Sequence, residues 1–144
     1  MENASNVFAD PGHRTYWPMA RAANADLLLM SMPRVNLLLT GTDDVVQDAL
    51  TRFMPVLRGP VHVRTAGQPL ELPPATQSGT LILRDVGALS RVDQYRLIKW
   101  LDLTAGRTQV ISTTSSSLRE LVDIGVFHST LYYRLNVTCV DLTE

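Results

Sequence analysis

The sequence is short of residues that several classes of protein require. It has one cysteine, Cys139, among 144 residues, so no intramolecular disulfide can form and nothing indicates an oxidising compartment. Lysine is nearly absent too, because Lys99 is the one lysine among 13 basic residues. A mechanism that depends on a lysine therefore has a single candidate.

Strong net charge and long apolar segments are also lacking. A formal net charge of −1 gives no general electrostatic reason to bind DNA or an anionic membrane. No apolar run is long enough to span a bilayer, and the N-terminus lacks the features of a signal peptide. The three histidines are dispersed without cysteine or carboxylate at ligand spacing, so no metal site is expected. These absences predict a cytoplasmic protein without direct contact to DNA or membrane.

What is present is the composition of one globular domain, with 45% hydrophobic and 19% charged residues. After a polar arm at residues 1–15, short apolar runs alternate with segments of helical periodicity over residues 16–144. The runs predict strands at 35–39, 61–64, 81–83, 108–112 and 137–142. The periodic segments predict helices at 16–30, 43–57, 90–105, 118–124 and 127–135. This alternation predicts an α/β fold with a five-stranded parallel sheet covered on both faces.

Two of these segments allow more detailed predictions. Helix 90–105 begins with a capping-box pattern, and its apolar positions are Val92, Leu97, Trp100, Leu101 and Leu103.

Strand 81–83 is apolar throughout, which is typical of a strand buried on both faces. It leads into Arg84 and Asp85 at the carboxyl end, where open α/β sheets bind ligands. These two side chains either pair with other charges at the sheet edge or belong to a ligand site.

Two stretches are similar to a known family. Residues 79–89 read Gly-Thr-Leu-Ile-Leu-Arg-Asp-Val-Gly-Ala-Leu, and residues 125–137 read Gly-Val-Phe-His-Ser-Thr-Leu-Tyr-Tyr-Arg-Leu-Asn-Val. The first resembles Gly-Thr-Leu-Phe-Leu-Asp-Glu-Ile-Gly-Glu-Leu, and the second resembles Gly-x-Phe-Arg-x-Asp-Leu-Tyr-Tyr-Arg-Leu-Asn-Val. Both patterns belong to the central AAA+ ATPase domain of sigma-54-dependent transcription activators, the bacterial enhancer-binding proteins. The resemblance implies a three-layer P-loop NTPase-like core.

The resemblance also implies where ATP would bind. The family's phosphate-binding loop reads Gly-Glu-Ser-Gly-Thr-Gly-Lys-Glu, whereas residues 41–48 read Gly-Thr-Asp-Asp-Val-Val-Gln-Asp. Gly41 is retained, Asp44 and Val46 replace the inner glycines, and Gln47 replaces the lysine that would contact phosphate. At ~4 Å and an effective dielectric constant of ~20, one carboxylate repels a phosphate charge by about 4 kcal/mol. A helix terminus contributes at most ~2 kcal/mol of attraction, so repulsion dominates.

Further positions of the family's nucleotide site are replaced. Arg84 stands where the family has the acidic residue that holds Mg²⁺, and a cation there repels a metal. Asp85 occupies the position of the catalytic glutamate, and Ser115 that of the sensor asparagine. We therefore expect that the binding of ATP and Mg²⁺ is lost, that no cofactor is bound, and that the chain is not an enzyme.

The remaining family features concern contacts between proteins. His128 replaces the first of two arginine-finger residues and Arg134 retains the second, so His128, Tyr132 and Arg134 are candidate interface residues. Tyr132 also fits a packing role, and Arg134 that of an ordinary exposed helix residue. The interval between 63 and 79 lacks the Gly-Ala-Phe-Thr-Gly-Ala loop that contacts sigma-54, so that contact is not expected. The sequence ends where the helical lid would begin, and no lid is expected.

Three functions follow as hypotheses. The favoured one is a nucleotide-incompetent regulatory or interaction module that contacts a related AAA+ activator or its own copies through the segment 127–135. The second is residual ATP hydrolysis in an oligomer, with Asp85 as general base and Arg134 supplied by a neighbouring subunit. The third is a phosphoacceptor receiver domain, in which Asp43, Asp44 and Asp85 would form the acidic pocket.

Overall fold

The computed structural model describes residues 15–17 and 34–142, which form a parallel sheet with helices on both faces. The six strands are β1 (Thr15–Trp17), β2 (Leu37–Thr40), β3 (Val61–Thr65), β4 (Gly79–Arg84), β5 (Thr108–Thr114) and β6 (Thr138–Asp141). The four α-helices of this part are α1 (Asp43–Phe53), α2 (Arg91–Thr104), α3 (Leu118–Asp123) and α4 (Ser129–Leu135). Two 3-10 turns, Met54–Val56 and Val86–Ala88, follow α1 and β4.

The strand order is β1-β6-β2-β5-β4-β3, and every pair is parallel. The five predicted strands are therefore confirmed, and they lie side by side in the order β6-β2-β5-β4-β3. A receiver domain has the order 2-1-3-4-5, in which its third strand pairs with its first. Here β2, the first of the five predicted strands, lies between β5 and β6, the fourth and fifth of them, so the receiver hypothesis is wrong.

The core lies on both faces of the sheet because successive strand residues point to opposite sides. Leu38, Leu81 and Leu83 face a cluster that includes buried side chains of α2 and α4. Leu37 and Ile82 face a second cluster, which is covered by α1. The structure is thus three-layered, with α1 on one face and α2, α3 and α4 on the other.

The predicted beginning of the chain differs from the structure. Thr15–Trp17 forms strand β1, which pairs with β6, whereas the arm was expected to continue to residue 15 and a helix to begin at residue 16. A β-branched residue followed by two aromatic residues suits a strand that can pair with an existing sheet edge, and this pairing overrides the helical spacing. The rest of the predicted arm, 1–14, and of the predicted helix, 18–30, lies outside the described residues.

Two helix boundaries differ as well. The first described helix was expected to reach Leu57 but ends at Phe53, and the chain continues as a 3-10 turn that contains Pro55. Proline lacks the N–H that would extend the α-helical hydrogen bonds. The last helix begins at Ser129 rather than Phe127, because the His128 side chain accepts a hydrogen bond from the Thr130 N–H and so forms the N-cap.

Helix α2 confirms its predicted cap and corrects its predicted apolar face. The Ser90 hydroxyl oxygen accepts a hydrogen bond from the Asp93 N–H over 3.1 Å. Val92 and Leu103, expected in the core, are 67% and 66% exposed. Gln94 is buried instead, because its amide reaches three backbone groups beside the helix. Periodicity therefore located the helix correctly but misplaced the edges of its buried face.

Candidate functional site

The turn between β2 and α1 is the first element of the candidate site, and it is short. Strand β2 ends at Thr40 and α1 begins at Asp43, so only Gly41 and Thr42 connect them. The Gly41 N–H donates to the Thr114 carbonyl over 3.1 Å, which ties the turn to the end of β5. A Cβ at Gly41 would lie 3.2 Å from the Leu142 Cβ, so the close approach of the chain favours glycine here.

The predicted loop residues lie inside helix α1. The Val46 N–H donates to the Thr42 carbonyl over 2.9 Å, and the Val46 side chain is 3% exposed within the core. Asp44 is in the first turn of the helix, where its carboxylate accepts a hydrogen bond from the Thr42 hydroxyl over 2.6 Å. This hydrogen bond, supported by the Val45 and Asp44 backbone N–H groups, lowers the pKa of Asp44 below its ordinary value. The start of α1 therefore carries a stabilised negative charge.

Gln47 and Arg84 contact each other directly. Arg84, the last residue of β4, donates a hydrogen bond from a guanidinium nitrogen to the Gln47 Oε1. The expectation that Arg84 pairs with a charged group at the sheet edge is therefore wrong, because its partner is a neutral amide. In the family pattern these two positions hold the phosphate-binding lysine and the acidic metal ligand. Here Gln47 and Arg84 occupy these positions and form a hydrogen-bonded pair. The positive charge therefore lies on the last residue of the strand, and the helix position is neutral.

Asp85 lies just beyond the strand. Its backbone is left-handed, with φ at 58°, and its N–H donates to the Thr113 hydroxyl oxygen over 3.2 Å. The Asp85 side chain is exposed, and β4 has ended one residue earlier. The left-handed backbone at Asp85 therefore redirects the chain as it leaves the strand.

Ser115 follows the last residue of β5 and lines a cavity of about 360 Å³. The cavity lies between the carboxyl ends of β2 and β6, the start of α3 and the end of α4. Helix α3 begins with Ser117 as N-cap, whose hydroxyl oxygen accepts from the Glu120 N–H over 3.2 Å. The serine and threonine run of residues 112–117 thus ends β5 and caps α3.

The three candidate interface residues have different environments. His128 caps α4, and its ring contacts Tyr95 edge to face at a centroid distance of 5.6 Å. Tyr132 is 7% exposed and packs in the core, with its ring 5.1 Å from that of Tyr133, so its packing role is confirmed. Arg134 is partly exposed, and its guanidinium donates to the Asp102 carboxylate of α2 over 2.8 Å.

Sequence reasoning missed two of the residues that shape this region. Gln94 donates to the Leu89 and Val126 carbonyls and accepts from the His128 N–H, with distances of 3.1, 3.1 and 2.8 Å. Gln94 lies three residues before Leu97, on the same side of the helix. This spacing was the signal from which its burial could have been predicted. Asp102, the partner of Arg134, gave no signal, because the two residues are 32 positions apart and in different helices.

Within residues 15–17 and 34–142, no group of three or more histidine, cysteine, aspartate or glutamate side chains could hold a metal ion. No helix among the described residues is both long and apolar enough to cross a bilayer.

The fold and the position of the site define a three-layer α/β protein of the P-loop NTPase type. A family model described as the sigma-54 interaction domain matches residues 21–144. The chain therefore belongs to the sigma-54 interaction domain family, as the resemblance of segments 79–89 and 125–137 implied. No curated protein sequence matches it.

Solved structures agree with this fold. NtrX from Brucella abortus in complex with ATP is 17% identical, with a TM-score of 0.59, and the match covers 88% of this chain and 38% of NtrX. NtrX in complex with ADP is 16% identical with the same TM-score of 0.59, covering 84% of this chain and 34% of NtrX. The P-loop NTPase domain of a sigma-54 activator from E. coli is 22% identical, with a TM-score of 0.54, and the match covers 74% of this chain and 95% of that domain. The chain thus spans little more than a third of NtrX.

The family implies ATP and Mg²⁺, and the described residues do not fit either group well. Only two residues connect β2 to α1, where the family has a loop that would surround a phosphate group. The first turn of α1 carries the negatively charged Asp44. Arg84 stands at the position where the family has the acidic residue that holds Mg²⁺. The arrangement of these residues therefore gives no basis for a nucleotide-dependent step.

Proposed function

We propose that this chain is a sigma-54 interaction domain that has lost ATP binding and hydrolysis and acts as a regulatory module through contacts with other proteins in the bacterial cytoplasm. The observation that carries the proposal is the helical conformation of the segment that would form the phosphate loop. A P-loop binds phosphate through backbone N–H groups that point outward. In this chain the Val46 N–H is bonded to the Thr42 carbonyl inside α1, so it is not available to a ligand.

The charges around this segment support the same proposal. The lowered pKa of Asp44 keeps a carboxylate at the start of α1, which repels a phosphate group. Gln47 cannot supply the positive charge of a lysine, and its Oε1 is already engaged by Arg84. Arg84 in turn repels Mg²⁺ from the end of β4.

The test is a titration of the purified chain with a fluorescent ATP analogue and Mg²⁺. We expect no saturable change at micromolar concentrations. A double variant, Gln47→Lys with Arg84→Asp, restores both family charges and serves as the matched comparison. We expect this variant not to bind either, because α1 still begins at Asp43. Micromolar binding by the unmodified chain contradicts the proposal.

Exposed apolar side chains support the interaction role. Most of the large exposed hydrophobic residues lie on α2, on α4 or beside them, and we call these residues the helical face: Val92, Tyr95, Leu103, Ile124, Val126, Tyr133 and Val137. The elements that carry them are joined to one another. Arg91 donates to the Gly125 carbonyl over 2.9 Å, and Arg134 pairs with Asp102. Contiguous exposed apolar patches mark protein-binding sites, and we propose that the residues of the helical face form one such patch.

The helical face can be tested by paired surface variants. The double variant Tyr95→Ser with Ile124→Ser changes the helical face. The control double variant, Met54→Ser with Val63→Ser, changes exposed apolar residues elsewhere, in the turn after α1 and in the edge strand β3. Sedimentation is measured for the chain alone and mixed with a sigma-54 activator domain from the same genome. We expect association that the first variant abolishes and the second retains. Equal association by both variants, or none by the unmodified chain, contradicts the role of this face.

Residual ATP hydrolysis is the competing function, and one feature favours it. The Asp85 carboxylate is exposed and has no hydrogen-bond partner among the residues described, so it could act as a general base. Arg134, its proposed partner across a subunit boundary, is engaged by Asp102 of the same chain. Phosphate release that rises with protein concentration and disappears in Arg134→Ala would establish hydrolysis and exclude the proposed function.

A further inference from the structure

A second cavity, smaller than the one beside Ser115, lies between α1 and the edge of the sheet. Its volume is about 140 Å³, and its lining comes from α1, the 3-10 turn after it, the edge strand β3 and the neighbouring strand β4. An apolar cavity of about 150 Å³ can hold a molecule of the size of benzene. This cavity therefore has room for a ligand of about four to six carbon atoms.

One side of the cavity is apolar. Leu50 and Ile82 are buried members of the cluster that α1 covers, and they form part of the lining. Met54 and Val63 border the same cavity and are exposed, so apolar surface remains in contact with water here. A hydrocarbon group that entered the cavity would remove this surface from water.

The other side is polar, and its three residues contact one another. A guanidinium nitrogen of Arg84 donates to the Gln47 Oε1, and the Gln47 Nε2 lies 3.5 Å from the Thr51 hydroxyl oxygen. All three residues line the cavity, so the Gln47 contact holds the Arg84 side chain at its border. We call the cavity bounded by these three residues and the four apolar ones the edge pocket.

Arg84 carries a charge that no described residue neutralises. It is half-buried, and its hydrogen bond to the neutral Gln47 amide is the one it makes within residues 15–17 and 34–142. A guanidinium group has five N–H donors, so the others remain for a ligand. Arginine side chains that are withdrawn from water are usually paired, and a carboxylate is a partner that arginine binds through two parallel hydrogen bonds. Arg84 beside an apolar wall therefore indicates a ligand with a negative charge and a hydrocarbon body.

The carboxylates of α1 restrict the charge of that ligand. Asp43 and Asp44 lie four and three positions before Gln47 in the same helix, so they are its neighbours on the helix surface. They repel an anion beside Arg84, and this repulsion grows with the charge of the anion. A phosphate group, with about two negative charges, is therefore less favourable here than a carboxylate with one.

We propose that the edge pocket binds an aliphatic monocarboxylate of about four to six carbon atoms. Arg84 binds the carboxylate, and the hydrocarbon chain packs against the four apolar residues of the pocket. This site goes beyond the proposed interaction function, because it lies on the α1 side of the sheet, whereas α2 and α4 of the helical face cover the other side.

An NMR titration of the full chain with 3-methylbutanoate tests the proposal. Two matched probes separate the contributions: 3-methylbutanamide keeps the carbon skeleton without the charge, and acetate keeps the charge with almost no hydrocarbon body. We expect saturable binding of 3-methylbutanoate at millimolar concentration, and binding of both matched probes weaker by about ten-fold or more. Inorganic phosphate is expected to bind no more tightly than acetate.

The location of the site is tested in two ways. The largest shifts caused by 3-methylbutanoate are expected at the methyl groups of Leu50, Val63 and Ile82, which line the pocket. Arg84→Met keeps an unbranched side chain but removes the charge, so it is expected to weaken binding of 3-methylbutanoate by about ten-fold or more. Arg52→Ala removes an exposed arginine of α1 outside the pocket lining, and this control is expected to bind normally.

Four results overturn the proposal. These are the absence of saturable binding of 3-methylbutanoate, equal or tighter binding of the amide, acetate or phosphate, undiminished binding by Arg84→Met, and largest shifts at methyl groups outside the pocket. If Arg84→Met does not fold, the probe comparison and the methyl shifts of the unmodified chain decide the question. None of these results affects the proposed loss of ATP binding, which is tested with a nucleotide.

Discussion

Single residues decide the electrostatics of the candidate site, and the contact between Gln47 and Arg84 is the clearest case. The sequence identified both positions as replacements of family residues. It did not indicate that the replacements contact each other, because they are 37 residues apart and meet only when β4 lies beneath α1. The arginine is therefore accommodated by a neutral partner rather than by a carboxylate.

Gln47→Lys is predicted to destabilise the chain by about 1 kcal/mol, because it replaces a hydrogen-bond acceptor with a second cation beside Arg84. Urea unfolding measures the change, which should diminish as the salt concentration rises. In an Arg84→Met background the same lysine is expected to have a much smaller effect. An identical loss of stability in both backgrounds would show that the contact is not responsible.

Thr42→Val is predicted to raise the pKa of Asp44 toward its ordinary value of 3.8, because the hydroxyl that stabilises the carboxylate is removed. In the unmodified chain the lowered pKa adds stability that is present above the unfolded-state value and is lost as the pH falls through the folded-state value. Carbon-detected NMR titration measures the pKa directly. Thr51→Val, on the same helix but without contact to Asp44, is the control, and an unchanged pKa in Thr42→Val would refute the assignment.

At the scale of elements, Gln94 joins α2 to the segment before α4. Its amide bonds two carbonyls and one N–H of the surrounding chain, so it fixes residues 126–128 against the helix. These hydrogen bonds explain how a polar side chain such as Gln94 occupies a buried position of the helix. Three specific hydrogen bonds offset the cost of burying the amide.

Gln94→Leu is predicted to lower the free energy of unfolding by about 3 kcal/mol, because it leaves backbone groups without partners. Lys99→Leu changes an exposed position of the same helix and is expected to alter stability by no more than about 0.5 kcal/mol. Chemical denaturation gives both values, and hydrogen exchange should accelerate at residues 126–128 in Gln94→Leu alone. Comparable stability of the two variants would contradict this role of Gln94.

At the scale of the whole molecule, one sheet unites two apolar clusters. Neighbouring residues of β2 enter different clusters, with Leu38 on the side of α2 and α4 and Leu37 on the side of α1. Neither cluster can lose its strands without exposing the other. We therefore expect the described part of the chain to unfold as one cooperative unit.

Leu131→Ala and Leu50→Ala probe the two clusters separately, because both side chains are buried but on opposite faces. Each is predicted to cost about 2 to 5 kcal/mol and to shift a single transition. Circular dichroism and tryptophan fluorescence should give coincident unfolding curves for both variants. Separate transitions for the two probes would show that the faces unfold independently.

The sequence by itself determined the five alternating strands, the α2 cap and the family, because these depend on apolar periodicity, capping chemistry and contiguous motifs. It also identified Asp44, Gln47 and Arg84 as departures from the family pattern. Only the tertiary structure decided the strand order, β1, the contact of Gln47 with Arg84, the pairing of Arg134 with Asp102 and the cavity beside Ser115. The physical reason is that each of these features joins residues far apart in the chain, and their proximity arises from packing of the whole sheet rather than from any local pattern.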